Sequence, residues 1–442
     1  MRATKLQFKN SRPLKYFIFS LTCVVVAVML TSCEQNPTAP NEPPKPYGYQ
    51  ADIYWPSLAD SPWPMYRADP QNTGRSNYSG THSGVMDWEI DTLLIGTGIV
   101  SSQDSTLYFA VSYNYGGPGN DISGLVALNS DGSIKWIHRF PVYAKDWPCT
   151  PIIANDGTVY TSNPKEEKFI ALDNIGNVMW EVWTGNQIIQ SGINIDKEGN
   201  LYAVGLGDNG WVINSISKYG KLNWQIEGLD IAGDGFNSMS FSPDGKTLYI
   251  SGNGDGPTLN AIDVSTRIVK WKFGESRMLA SAAPIIDYDG NIYVISEKAD
   301  GYGYLISLNQ YGTVRWEYKL DIWGIAEAYN LPAMDNNGNI YVGLEELMSI
   351  NYSGKLNWKI SVGSQPVGSI TSPITIDVNN RIYFTIGIGA DRKLCVYEDN
   401  GNLLFNPPLI DTHTYGISYS PSIAYNKFLF PSYQSQLIYS FH

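Results

Sequence analysis

The feature that most constrains the fold is a unit of 42 to 48 residues that recurs along most of the chain. It is clearest in residues 335–360, DNNGNIYVGLEELMSINYSGKLNWKI, where two glycine turns separate three short runs that have the composition of β-strands. An aromatic residue closes each of eight such units. These residues are Trp88, Trp136, Trp180, Trp224, Trp271, Trp316, Trp358 and Phe405.

A second series of aromatic residues has the same period. A tyrosine follows the first turn of seven units: Tyr108, Tyr160, Tyr202, Tyr249, Tyr293, Tyr341 and Tyr383. Before that turn lie runs such as TPIIA (150–154), APIID (283–287) and SPITI (372–376), which predict a further, innermost strand. Four strands in each unit of this length predict an all-β fold, an eight-bladed β-propeller of four-stranded antiparallel blades.

The two ends of the repeat predict how the ring closes. The unit that ends at Trp88 has no turn and tyrosine of its own, and the last unit, SPSIAYNKFLFPSYQSQLIYSF, has only three strands. We therefore expect the strand around Trp88 to complete the eighth blade and leave no open edge. The prediction is one monomeric propeller over residues 84–442.

The N-terminus has the pattern of an export signal. A basic segment up to Lys15 precedes an apolar stretch, 16–30, and Leu30-Thr31-Ser32-Cys33 resembles a bacterial lipobox. This predicts a lipoprotein signal peptide, 1–32, and lipidation at Cys33; the alternative is an uncleaved anchor. Both place the remaining chain outside the cytoplasm, and Glu34 after the cysteine favours the outer membrane. The leaflet, periplasmic or surface-facing, stays open.

Residues 33–62 contain seven prolines and no sustained periodicity, which predicts a Pro-rich tether. A lead-in segment, 63–83, follows before the repeats begin. The formal charge is −12, and because residues 1–32 hold five basic and no acidic residues, the rest of the chain carries −17. Such a charge repels phosphate backbones and excludes nucleic acid as a partner.

Few residues have the spacing of a metal or catalytic site. The four histidines lack paired spacing, and Asp287, Asp289 and Asn291 are predicted to form a turn like those of the other units, not a calcium loop. Cys149 and Cys395 fall in distant units, the second and the seventh, so we predict that both are unpaired. The prediction is no catalytic residue and no metal.

The eight repeat-closing aromatics have two readings. As structural residues they dock one blade on the next, and as ligand-stacking residues they would point into the axial channel. Their regular spacing favours blade docking, in which a ring buries about 150–250 Å².

Several motifs carry a family resemblance. ALNSDGSIKW (127–136), ALDNIGNVMW (171–180) and the lead-in sequence WPMYRADPQNTGRS (63–76) resemble the pyrroloquinoline-quinone-like repeat. That family includes quinoprotein dehydrogenases and non-catalytic lipoproteins, among them the propeller subunit of the outer-membrane β-barrel assembly machinery. The dehydrogenase reading implies a quinone, Ca²⁺ and a catalytic aspartate. This chain lacks the adjacent cysteine pair that many such enzymes carry, so we predict no cofactor and a non-enzymatic protein.

The connections between units predict where a partner binds. They contain aromatic residues that lie outside the docking series, which favours a binding face on loops above a rigid scaffold. The candidates are Tyr143, Trp147, Trp183, Phe236, Trp323, Tyr329, Tyr415 and Tyr419. The alternative is that they only close the mouth of the channel.

Three functions follow. The favoured one is a lipid-anchored cell-envelope propeller that acts as a protein-interaction scaffold for another envelope protein in outer-membrane protein assembly. The alternatives are a pyrroloquinoline-quinone-dependent dehydrogenase and a polysaccharide-binding envelope protein.

Overall fold

The structure is a computed structural model that describes residues 45–442, with gaps. The gaps are residues 92–94, 112–121, 142–147, 189–191, 230, 232–238, 253–258, 275–282, 324–330, 344, 363–368, 389–390, 406–408, 412–419 and 433–436. The backbone alone is described at 322, 323, 388, 391, 392 and 409–411. By its internal contacts the chain divides into two units, 1–46 and 47–442. The signal peptide and Cys33 lie outside the described residues.

The described residues form 34 strands and one short 3-10 turn, Pro164–Glu166. The first strand is β1 (Met86–Ile90). Blades 1 and 2 contain β2 (Val100–Ser101), β3 (Leu107–Val111), β4 (Gly124–Leu128), β5 (Ile134–Arg139), β6 (Ile152–Ile153), β7 (Val159–Asn163), β8 (Lys168–Leu172) and β9 (Val178–Trp183). Blades 3 and 4 contain β10 (Asn194–Ile195), β11 (Leu201–Gly207), β12 (Gly210–Ile216), β13 (Leu222–Ile226), β14 (Ser240–Phe241), β15 (Thr247–Ser251), β16 (Leu259–Asp263) and β17 (Val269–Phe273).

The second half continues the pattern. Blades 5 and 6 contain β18 (Ile285–Ile286), β19 (Ile292–Glu297), β20 (Tyr302–Leu308), β21 (Val314–Trp323), β22 (Ala333–Met334), β23 (Ile340–Gly343), β24 (Glu346–Ile350) and β25 (Leu356–Ser361). Blade 7 contains β26 (Ser369–Ile370), β27 (Thr375–Ile376), β28 (Ile382–Ile388), β29 (Asp391–Tyr397), β30 (Leu403–Phe405) and β31 (Leu409–Asp411). Blade 8 contains β32 (Ser422–Ala424), β33 (Lys427–Pro431), β34 (Ile438–Phe441) and β1.

These strands form eight separate antiparallel sheets, which confirms the predicted eight-bladed propeller. Seven sheets have four strands, and blade 7 has six because its innermost and outermost strands are each interrupted. Antiparallel order sends alternate connections to opposite ends of a blade. The turn face therefore carries the turns after the first and third strands. The loop face carries the connections after the second and fourth strands.

The two aromatic series meet inside each blade. In blade 1, Tyr108 on β3 and Trp136 on β5 both pair with Ala127 on the strand between them. Their ring centroids are 5.7 Å apart, since the small alanine leaves the space above it to the two rings. Alanine or serine occupies this position in blades 1 to 6. This contact explains why the repeat contains a small residue nine or ten positions before its tryptophan.

Ring closure is as predicted. The N-terminal strand β1 pairs antiparallel with the C-terminal strand β34, and the register includes Glu89 opposite Tyr439. Lys427 Nζ lies 2.7 Å from Asp87 Oδ2, and His442 Nδ1 lies 2.5 Å from Asp87 Oδ1. The first strand of the repeats thus completes the last blade.

The predicted tether, 33–62, extends too far along the chain. Residues 47–62, here called the strap, lie against the propeller and so do not form a free tether. Trp55 is buried, and its Nε1 donates to the carbonyl of Ile195 in blade 3 at 2.9 Å. At the other end the amide of Gln50 donates to the carbonyl of Asn336 in blade 6 at 2.8 Å. The proline-rich composition of this stretch predicts an unpacked linker and does not indicate these contacts. In the described part of the chain no helix is long and apolar enough to span a membrane.

Candidate functional site

The predicted binding face is described only in part. Six of its eight aromatic residues lie outside the described residues: Tyr143, Trp147, Phe236, Tyr329, Tyr415 and Tyr419. Trp323 is the last residue of β21, on the loop face, but its side chain is not described. Trp183 is described in full.

Trp183 ends the outermost strand of blade 2 on the loop face. Its side chain is 66% exposed, and its Nε1 donates to Glu167 Oε2 at 3.1 Å. Lys168, its partner across the strands, lies 3.2 Å from Glu166 and 2.9 Å from Glu181. An exposed indole, fixed in orientation and bordered by charged groups, is suited to contact a partner.

The lead-in segment surrounds the propeller axis on the turn face. Its carbonyl oxygens accept hydrogen bonds from all eight blades in chain order. The donors are Ser101 N to Trp63 (2.9 Å), Ile153 N to Pro64 (2.8 Å), Asn194 Nδ2 and Phe241 N to Pro70 (3.0 and 2.8 Å), Ile286 N to Gln71 (3.0 Å), Met334 N to Thr73 (2.9 Å), Ile376 N to Gly74 (2.8 Å) and Asn426 N to Ser79 (3.1 Å). The segment therefore makes one circuit of the axis and pairs donors of the innermost strands and, in blade 8, of the turn that follows that strand.

Arg67 crosses the axis within this circuit. Its side chain is 1% exposed, and Nη1 donates to the carbonyl of Ile374 at 2.6 Å, while Nη2 donates to that of Pro332. Burial lowers the pKa of its guanidinium to about 10, so the group stays charged at neutral pH. Burial also raises the pKa of the nearby Asp69 carboxyl. Sequence reasoning identified this segment by resemblance but did not predict that it fills the axis.

The repeat-closing tryptophans contact the next blade. In six of them the indole N–H donates to a backbone carbonyl in the following blade's second turn, at 2.8 to 3.1 Å. Trp316, for example, donates to Tyr352, and its ring lies against Gly354. Trp224 instead lies 5.9 Å from the guanidinium of Arg267. Each of these contacts joins neighbouring blades.

The aspartates of the first turns bind their own blades. Asp287 accepts hydrogen bonds from the Asn291 backbone at 2.7 Å and from the Tyr293 hydroxyl at 2.9 Å. Asp335 contacts Tyr341 in the same way at 2.8 Å, and burial raises the pKa of both carboxyls. Because the same arrangement recurs between blades, these carboxylates have a structural use. No cluster of three or more potential metal ligands occurs among the described residues.

The described residues do not fit a quinone with a calcium ion. A quinone of the resembled dehydrogenases would lie on the axis beside carboxylate and amide oxygens. On the turn face the axis holds the buried Arg67, a cation that would repel Ca²⁺. Arg67 therefore makes this end of the axis unsuitable for a calcium-bound quinone.

Cys149 and Cys395 are both buried and free. Burial raises the pKa of the Cys149 and Cys395 thiols to about 12, so both are protonated and shielded at neutral pH. We expect neither to react with a maleimide at pH 7.5 in the folded protein, and both to react in denaturant. Mass spectrometry of the two cysteine-containing peptides measures this. Labelling of either thiol at the rate of an unfolded peptide would contradict the burial.

Comparisons with known proteins agree on the fold. The sequence matches no protein-family model and no curated protein. Among solved structures, BamB from Moraxella catarrhalis aligns with 81% of this chain and 99% of its own length, at 16% identity and a TM-score of 0.55. The C-terminal WD40 domain of Sif2 aligns with 82% of this chain and 98% of its own, at 11% identity and a TM-score of 0.60.

A third match is the Dos1 propeller, which covers 80% of this chain and 93% of its own length, at 10% identity and a TM-score of 0.52. The shared feature is the propeller fold. At these identities the likeness carries no information about ligand or activity.

Proposed function

We propose that this chain is a non-enzymatic, lipid-anchored propeller of the cell envelope that acts as a protein-interaction scaffold in outer-membrane protein assembly. In this proposal residues 1–32 are cleaved and Cys33 carries the lipid. The observation that carries the proposal is Trp183, an exposed indole held by Glu167 on the loop face of a closed, rigid ring. The propeller fold shared with BamB agrees with the lipoprotein branch that the sequence motifs resemble.

The filled axis also supports a scaffold. Ligands of propellers commonly enter the axial channel, but here the lead-in segment and Arg67 occupy its turn-face end. A partner would then bind at the rim of the propeller or on its loops. Exposed aromatic residues on rigid supports dominate the energetics of many protein interfaces.

The test is co-purification of the full-length, lipidated protein from cross-linked envelopes. We expect barrel-assembly components to be captured, and Trp183→Ala to lower their yield at least tenfold, because tryptophans that act as interface hot spots contribute roughly 2 kcal/mol or more. Tyr219→Ala is the matched control, since Tyr219 is also an exposed aromatic, at 79%, but lies in a turn on the opposite face.

Three outcomes would contradict the proposal. Equal losses in the two variants would show that the loop face has no special role. A dye-linked dehydrogenase signal on adding quinone and Ca²⁺ would favour the enzyme. Retention on envelope polysaccharide that Trp183→Ala abolishes, with no protein captured, would favour the glycan binder.

A further inference from the structure

A cleft of about 380 Å³ separates the strap from the lead-in segment on the turn face. The strap forms its outer wall as it passes from blades 5 and 6 toward blades 2 and 3. At one end the Tyr288 amide donates to Gln50 Oε1 at 2.8 Å, and at the other the Ala59 amide donates to the Ile153 carbonyl at 3.0 Å. The cleft is thus bounded by segments that are fixed at both ends.

The middle of the strap has the properties of an unpaired edge strand. Within the described part of the chain, the backbone groups of Ala51, Asp52, Ile53 and Tyr54 take part in no hydrogen bond. Their exposure alternates, with Ala51 and Ile53 half-buried and Asp52 and Tyr54 exposed, as on an extended strand. All four residues line the cleft. Unpaired extended backbone beside a cleft is the surface on which a peptide adds as a further strand.

A buried hydroxyl also lines this cleft without a partner. Ser61 is 7% exposed, and its Oγ has no hydrogen-bond partner among the described residues. Buried polar groups are nearly always paired in folded proteins. An incoming backbone amide or carbonyl would supply the missing partner.

The charge of the cleft favours a basic ligand. Asp52, Asp60 and Asp69 line it together with one cation, Arg75. Arg75 Nη2 lies 3.6 Å from Asp52 Oδ1, and its Nη1 donates to the Asp335 carbonyl at 3.1 Å. The Asp52 side chain remains 63% exposed, so it can contact a second cation.

Two further aspartates are next in sequence to residues that line the cleft. Asn155 and Tyr288 line its two ends, and the next residue in each turn is an aspartate, Asp156 and Asp289. Asp289 accepts a hydrogen bond from the Tyr352 hydroxyl at 2.9 Å, and a cation, Lys197, lies 5.0 Å from the ring of Trp55, which also lines the cleft.

From these features we propose that the strap cleft binds an extended, basic segment of another protein, which pairs its backbone with Ala51–Tyr54 and places lysine or arginine side chains near Asp52 and Asp60. The inference rests on the proposed function only in that the ligand is a protein. The cleft and the loop face that carries Trp183 are opposite surfaces. The chain's own residues 34–46, EQNPTAPNEPPKP, fit poorly because their prolines lack amide donors and they contain two glutamates and one lysine.

The test measures binding of a blocked octapeptide of alternating threonine and lysine to the full-length protein, by fluorescence anisotropy in 50 mM and 300 mM salt. Two further peptides are compared, one with glutamate in place of lysine and one with alternate backbone nitrogens methylated. The protein variants are the double change Asp52→Asn with Asp60→Asn, and the control Glu227→Gln. Glu227 is an exposed carboxylate at the loop-face end of β13.

We expect the lysine peptide to bind, and the N-methylated and glutamate peptides to bind at least tenfold more weakly. The double variant should bind the lysine peptide with at least tenfold lower affinity, whereas Glu227→Gln should lower that affinity less than twofold. Equal binding of the N-methylated peptide, or equal losses in both protein variants, would reduce the effect to general charge attraction and overturn the proposal. Absence of lysine-peptide binding at 1 mM, or binding of neutral oligosaccharides instead, would also overturn it.

Failure here is distinguishable from failure of the scaffold proposal. A protein that loses peptide binding but still captures envelope partners through Trp183 contradicts the cleft alone. The reverse pattern contradicts the loop face alone.

Discussion

Arg67→Ala will lower the free energy of unfolding by about 3–5 kcal/mol. The substitution leaves the carbonyls of Ile374 and Pro332 buried without their donor, and unpaired buried polar groups cost roughly 1–3 kcal/mol each. It also leaves a void on the axis, which adds to the cost. Urea denaturation followed by tryptophan fluorescence measures the effect.

Two further variants define the cause. Arg139→Ala removes an exposed arginine from an outermost strand and should change stability by less than about 0.5 kcal/mol. Arg67→Met refills most of the volume without restoring the donors, so its stability should lie between those of Arg67→Ala and the parent. A methionine variant as stable as the parent would show that the two carbonyls do not need the guanidinium.

The repeat determined which parts of the fold were predictable. Blade number, strand order and ring closure depend on side chains that recur with a fixed period, such as Trp136 and Tyr108, and these signals survive in a single sequence. The small residue between the two rings, Ala127 in blade 1, begins the motif ALNSDGSIKW, but only the strand register, which places it between Tyr108 and Trp136, explains why it is small.

The lead-in segment and the strap could not be predicted in the same way. They bind the blades mainly through backbone carbonyls and amides, as Pro64 and Ile153 do, and such bonds leave no side-chain period in the sequence. A tryptophan inside a proline-rich stretch, Trp55, was the available signal that the chain was ordered there. A free tether has little reason to contain a residue that loses so much by remaining exposed.

The candidate binding surfaces were also predictable only in part. Sequence reasoning chose Trp183 because aromatic residues recur in connections, where the scaffold does not require them. The strap cleft was missed because the residues that line it form no recognisable motif in the sequence. Its properties come from the way Asp52 and Ser61 are brought beside an unpaired backbone by contacts distant in sequence.

Gly354→Ala will lower the free energy of unfolding by about 3–4 kcal/mol, because it disturbs the contact between blades 5 and 6. Gly354 has a φ of +81°, a conformation that costs an L-residue about 1–2 kcal/mol. A Cβ there would also lie 2.5 Å from the Trp316 ring, so the ring must move and lose the hydrogen bond from Nε1 to Tyr352, 3.1 Å long. Displacing a packed indole and its hydrogen bond adds roughly 2 kcal/mol.

Gly157→Ala provides a control with the same backbone. Gly157 has a φ of +84°, and its amide donates to the carbonyl three residues earlier, as in Gly354, but a Cβ there would meet no atom within 4 Å. It should therefore cost only the conformational part, about 1–2 kcal/mol. The excess cost of Gly354→Ala measures the tryptophan contact, and it should shrink by at least about 1 kcal/mol in a Trp316→Leu background, where the clash is relieved. If the two glycine substitutions lowered the free energy of unfolding equally, the Trp316 ring would be able to move without cost, and blade docking would not depend on this contact.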